Sequence, residues 1–396
     1  MTIQHLYPTT RPSLDLNFAR TKRLDPRVTF TRGSTATYVG SDGLIKTAAS
    51  NEARFDHDPV TGESLGLLIE EARTNYFTNS SLPTGTVNGV KTTVSGYLLP
   101  DGTTGNCTQL YVNQVSDNLY DGFNGSVPAN TQFHFTFWVQ NISGFPVTFS
   151  YGRTSYSVVP VTIPNDGKWY KLSGDAGFSN ASGQLYNFSY VDTRPGGSTN
   201  PVSTPFTVLL WGSQMEAGTF PTSYIPTSGS TVTRAADVAS MTGTNFSSWY
   251  NQSEGTTYSE TRNVPFNGGL WYFGPSGAPR WWSRNELGNG VRTQAYDGSG
   301  GSGVVDIVVS GSGSGNIIPS LKHIVTIDNV AQEHAGSANG SSVTTGSWDS
   351  ISGVSALQLG RRSDLGGNNG YLNGTISRLT YYPTRLTDAQ LQALTL

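Results

Sequence analysis

The residues with chemical potential are few in this chain, and they are scattered. The stretch "GLLIEEARTNY", Gly66 to Tyr76, sets Glu70 and Glu71 beside Arg73. Two carboxylates can act as general acid and base only when both face one gap across a substrate bond. Adjacent residues of a strand point to opposite faces, so this pair reads as scaffold, one Glu solvated and the other ion-paired, with Arg73 as the nearest partner in sequence. Asp56 and Asp58 straddle His57 and could flank a cation, but Pro59 behind them favours a plain turn. Five histidines stand far apart, without the spacing of a zinc motif. No Gly-x-Ser-x-Gly elbow is present. "GSGGSG", 298–303, matches the dinucleotide fingerprint in letters but lacks a strand before it and a helix after it, so it reads as a loop. Cys107 is the single cysteine, with no histidine near it in sequence, and reads as an inert thiol.

Two clusters carry more promise. "LWYFG" and "RWWSR" bring Trp271, Tyr272, Arg280, Trp281 and Trp282 onto one expected hairpin. An exposed ring can stack on the apolar face of a sugar while arginine binds hydroxyls, so these five are the candidate glycan-binding residues. Core packing is the competing reading, since large aromatics dominate sandwich interiors. In "RRSDLGGNNGY", 361–371, the side chains of Asp364, Asn368 and Asn369 offer oxygens to calcium. No other cofactor is expected, and the competing reading there is a turn-rich loop.

The elements that must position these residues are short strands. "FHFTFWVQN" sets Phe133, Phe135, Phe137 and Val139 on one face and His134, Thr136, Trp138 and Gln140 on the other, a period of two. Asp-Gly at 42–43 and the bend at Pro59–Gly62 mark hairpins. "YLNGTISRLTYYP" holds an Asn-Gly turn followed by a strand. "LTDAQLQAL" predicts one short C-terminal helix, with Thr387 and Gln390 as a capping box and Leu386 and Leu391 as its hydrophobic staple. The fold class is therefore all-β, two jelly-roll β-sandwiches after an extended N-terminal segment. The expected divisions are 1–62 for that segment, 63–228 for the first sandwich and 229–396 for the second.

Composition agrees. The chain has 396 residues, enough for two or three domains. Charged residues make up 13%, about half the usual share, while 47 Gly and 20 Pro punctuate the strands. A net charge of −3 argues against a nucleic-acid partner. No apolar run is long enough to span a bilayer and the first residues lack a signal-peptide pattern, so membrane insertion and standard secretion are not expected.

Three segments carry a resemblance. "LDLNFARTKRLDPRVTFTRGSTATYV" with "GLLIEEARTNY" resembles the start of tailed-phage head-spike and tail-fibre virion proteins. "WGSQMEAGTFPTSYIPTSGSTVTRAADV" resembles the junction that closes a carbohydrate-binding-module-like jelly roll in the same proteins. The last portion is similar to laminin-G and concanavalin A-like sandwiches. The resemblance implies a non-enzymatic phage virion surface protein, a tail fibre or spike. Its implied partners are a homotrimer of itself, other phage virion proteins and a host cell-surface glycan. In that reading the Glu70–Arg73 segment is a structural clasp. The alternatives are a purely structural head fibre and a polysaccharide-cleaving depolymerase.

Overall fold

The computed structural model describes residues 7–82, 86–87, 90–113, 119–121, 127–153, 157–183, 185, 188–192, 204–265, 268–274, 280–286, 290–296, 302–308, 317–347, 351–362 and 370–396. It is built almost wholly of strands, as the alternating pattern requires. The chain divides into two units, 1–43 with 47–72 and 235–396, and 44–46 with 73–234.

The unit of residues 73–234 packs two sheets, each five-stranded among the described residues. The strand Gln132–Asn141 runs through one of them between Trp169–Phe178 and Phe206–Ala217. Phe133, Phe135, Phe137 and Val139 lie fully buried between the sheets, against Phe149, Tyr151 and Tyr190 of the facing one. Ring pairs such as Phe137–Tyr190, edge to face at 4.9 Å, add to the area term. The opposite face of the strand feeds a smaller cluster of Trp138, Trp211 and Tyr224.

The other unit is also a two-layer sandwich. Among the described residues one sheet has eight strands and the other seven. Here the expected division of the chain is corrected. The described residues of the expected segment 1–62 form no separate extended domain: Leu14–Leu16 pairs with Leu379–Tyr381, Thr29–Thr31 with Val238–Ser240, and Phe55–His57 with the strand Ser64–Ile69, itself joined to Gly374–Ile376. Leu14, Leu16, Phe18, Leu67 and Ile69 are core residues of this sandwich. Their apolar side chains are buried only once these strands join a sheet completed by the strand Gly374–Tyr382. The boundary near 228 falls at 234, and the strand Ser64–Ile69 belongs with the second sandwich, not the first.

Local signals hold. Gly43 takes φ +76 in the Asp-Gly turn, and Asn373 takes φ +48 before Gly374. The C-terminal helix spans Asp388–Thr395, and the Gln390 side chain accepts the Thr387 backbone N–H at 3.0 Å. Leu386 and Leu391 share a cluster with Tyr258 and Ile324, with Leu394 packed against it. No described helix is long and apolar enough to cross a membrane.

Candidate functional site

The Glu70–Glu71 question is settled by burial. Arg54 meets Glu70 at 2.8 Å and Asp237 at 2.5 Å, and Arg32 meets Asp237 at 3.1 Å. Asp237 also accepts the Glu70 backbone N–H at 2.9 Å, and its own N–H donates to the Glu70 carbonyl at 2.9 Å. Two guanidiniums and two carboxylates thus close a balanced cluster out of solvent. Burial alone pulls the Arg54 guanidinium down, but Glu70 and Asp237 together outweigh it and hold it above its ordinary value. Glu71 lies half-buried and accepts from the Asn373 amide at 3.2 Å. The scaffold reading stands, with Arg54 rather than Arg73 as the buried partner of Glu70. Arg73 instead lies over the Phe220 ring at 4.8 Å. Farther along the motif, Asn75 is fully buried and clips the first sandwich, donating to Ser213 and Ile225 carbonyls and accepting from Phe77 and Met215.

The other early candidates are structural too. Asp58 accepts the N–H groups of Val60 and Thr61 in its turn. Asp56 accepts from Val39 at 2.6 Å, and crowding by protein pushes its carboxyl up to about 6 although part of the side chain remains open to solvent. Cys107 is buried, which raises its thiol to about 11, far from a nucleophile's range. His323 is buried against Trp271, and desolvation lowers it to about 3, so it stays neutral. Among the described residues no group of three metal-ligating side chains converges. Asp364, Asn368 and Asn369 lie outside the described residues.

The five aromatic-cluster residues do come together, on the strands Gly269–Phe273 and Arg280–Glu286 of the seven-stranded sheet. Their expected use needs correction. Trp271 and Trp281 are fully buried core residues, edge to face at 4.7 Å, and Trp281 stacks on Phe273. Alternation sends Tyr272 and Trp282 to the outer face of the sheet, cross-strand neighbours of each other, yet both are still buried. Arginine is one reason: the Arg362 guanidinium lies over the Trp282 ring at 3.5 Å, and Arg284 reaches the same ring at 5.1 Å. These rings are therefore closed to sugar stacking. Of the five, Arg280 alone keeps an intermediate exposure, and it lies over Tyr296 at 4.6 Å.

What emerges is a face made of guanidiniums resting on aromatic rings. Along the strand, Arg280, Trp282 and Arg284 share one side. Their cross-strand neighbours on Gly290–Tyr296 are Tyr296, Gln294 and Arg292. Arg284 and Arg292 stand directly opposite each other, and both are partly exposed. On its other side Arg292 has Asp306 as cross-strand neighbour. A guanidinium fork matches a carboxylate or sulfate with two parallel hydrogen bonds. Sequence reasoning missed Arg284, Arg292 and Arg362. Period-two reading of "RWWSRNE" and "GVRTQAY" as one antiparallel pair would have found the first two; Arg362 lies beyond the end of the strand Ala356–Leu359 and left no local signal.

No protein-family model matches the chain. No curated protein matches it either. Among solved structures the chain is similar to the Ruminococcus gnavus IT-sialidase CBM40 bound to alpha2,6 sialyllactose, at 20% identity and a TM-score of 0.34, over 38% of this chain and 88% of that one. It is also similar to the NanB sialidase from Streptococcus pneumoniae, at 15% identity and a TM-score of 0.32, over 39% of this chain and 26% of that one. A third likeness is to the binding domain of Paraclostridial Mosquitocidal Protein 1, at 14% identity and a TM-score of 0.28, over 40% and 43%. Likenesses of this depth carry neither a site nor a ligand across.

Proposed function

We propose that this chain is a non-catalytic glycan-binding protein that holds an acidic saccharide on the outer face of its seven-stranded sheet. One observation carries the reading: Arg284 and Arg292 are cross-strand partners on a partly exposed face, with Arg280 and Arg362 on the same layer of rings. Arg280, Arg284 and Arg292 are partly exposed there, while Arg362 is buried against Trp282. Stacking on Trp282 and Tyr296 orders the guanidiniums before a ligand arrives, which lowers the entropy lost on binding. The carboxylate cluster around Glu70 offers no competing catalytic site, because Arg32 and Arg54 engage both acids.

The biological setting we infer is a phage virion surface, as a tail-fibre or spike component that touches the host. It rests on the resemblance of the Leu14–Val39, Gly66–Tyr76 and Trp211–Val238 segments. Assembly as a homotrimer and contact with other virion proteins belong to the same inference. A disulfide-free chain of two sandwiches suits that role.

The test is a glycan array bearing sialylated, uronate-containing and sulfated oligosaccharides beside their neutral parents, read with the wild type and with Arg284→Gln/Arg292→Gln. Acidic spots lit by the wild type and dark with the double variant support the reading. No bound glycan sinks it in favour of a structural fibre, and shortened glycans recovered from the array point to a depolymerase. Immunogold labelling of intact particles then separates head from tail, and absence from particles overturns the virion setting.

A further inference from the structure

A second site lies on the other sheet of the same sandwich, on its outer face beside the C-terminal helix. A cleft of about 340 Å³ is lined there by Tyr258, Glu260, Lys322, Arg378, Tyr382 and Leu394, among others. That volume suits a ligand of one or two sugar rings, at the small end of ordinary ligand pockets. Three strands build its floor. Glu260 has Arg378 as cross-strand neighbour on one side and Lys322 on the other, so one row reads cation, anion, cation. In the next row stand Thr380, Tyr258 and Ile324, and the helix covers the Ile324 end. The cleft opens where the helix stops covering the sheet.

Charges of both signs are interleaved here. Arg378 pairs with Asp15 at 2.8 Å, and Thr380 donates to the same carboxylate at 3.1 Å. The Tyr258 hydroxyl donates to Glu260. The Lys322 ammonium donates to the Leu396 carbonyl at 2.8 Å, so these two cations and two carboxylates all have partners within the chain. They do interleave strong donors with strong acceptors a few ångströms apart, which is what a ring of hydroxyls requires, since each hydroxyl both donates and accepts. The partly exposed Tyr382 ring and the Leu394 side chain from the helix supply an apolar wall for the C–H face of a sugar. We propose that this cleft binds a neutral mono- or disaccharide, independently of the acidic-saccharide face.

The experiment is saturation-transfer NMR and titration calorimetry of the full chain with lactose, maltose and cellobiose at millimolar concentration. The variants are Glu260→Gln, which keeps the shape and removes the charged acceptor, Tyr382→Ala, which removes the wall, and Arg284→Gln as the control at the other face. We expect at least one of the three sugars to bind, its affinity to fall about tenfold in Glu260→Gln and to vanish in Tyr382→Ala, and Arg284→Gln to leave it unchanged. Circular dichroism of each variant, with Glu260→Gln as the milder change, separates lost binding from lost folding. Binding of none of the three sugars overturns the proposal, as does binding that survives both cleft variants or is lost in Arg284→Gln. Loss of acidic-glycan binding in Arg284→Gln with the neutral sugar still bound bears on the other face alone, so the two readings fail separately.

Discussion

Neutralising Asp237 removes one of two carboxylates from a buried set of four charges. Asp237 is fully buried and receives Arg32 at 3.1 Å, Arg54 at 2.5 Å and the Glu70 N–H at 2.9 Å. Asparagine in its place keeps the size and removes a carboxylate that both Arg32 and Arg54 engage. The charge of the buried set shifts by one unit toward positive, with no water to spread it. Breaking one partner out of a buried pair typically costs about 3–5 kcal/mol, most of it the penalty on the charge left behind. In urea, with a slope of roughly 2–3 kcal/mol/M, that moves the midpoint down by about 1–2 M. Adding Arg32→Met to Asp237→Asn restores neutrality between Arg54 and Glu70 and should recover part of the loss. The assay is equilibrium urea denaturation followed by tryptophan fluorescence and circular dichroism for the wild type, the single variants and the double variant. A loss below about 1 kcal/mol for Asp237→Asn, or a double variant weaker than the sum of the two singles, would refute the view that this cluster clasps the N-terminal strands to the sandwich.

Asp56 gives a pH signature of opposite sense to an ordinary ion-paired carboxylate. Its carboxyl is raised to about 6 from 3.8, so the native state favours the protonated form. The stability it contributes is present below about pH 4 and is lost as pH rises through about 6. Asp56→Asn should match the wild type at pH 4 and exceed it by ~2 kcal/mol at pH 7, a size discounted for the solvent that still reaches the side chain; equal stability at pH 7 contradicts this. Trp281→Ala should lower stability by about 3–5 kcal/mol, read as a fall in Tm, because the ring is core; an unchanged Tm would mean that it is not. Gly66 holds φ +101 with the Ile376 carbonyl against the position a Cβ would take, so Gly66→Ala should cost ~1–3 kcal/mol in urea denaturation, and a neutral effect would show that the sheet yields there.

What the sequence disclosed was local. Phe133 to Val139 alternate because one face of their strand is core, and Thr387 with Gln390 starts a helix because unmet N–H groups need partners nearby. Both are problems solved within a few residues. Leu14–Leu16 belongs to a sheet completed at Leu379–Tyr381, and no pattern within the first 62 residues points there. Arg54 rather than Arg73 reaches Glu70 for the same reason: pairing partners are chosen by sheet register, not by nearness in sequence. The aromatic run was read as one hairpin with core packing and sugar stacking both open, and the burial of its rings favours the first. In this sandwich both sides of that hairpin are covered, one by the opposing sheet and the other in part by arginine side chains. The arginines themselves were legible only in the period-two pattern of two strands taken together.

Calorimetric titration of the full chain with one acidic oligosaccharide and its neutral parent, at 20 mM and 300 mM salt, tests the central claim most directly. The account predicts that the acidic glycan binds at least tenfold more tightly at low salt, that salt narrows the gap, and that Arg284→Gln/Arg292→Gln removes it. Equal affinity for the two glycans, or a preference untouched by the double variant, would contradict it.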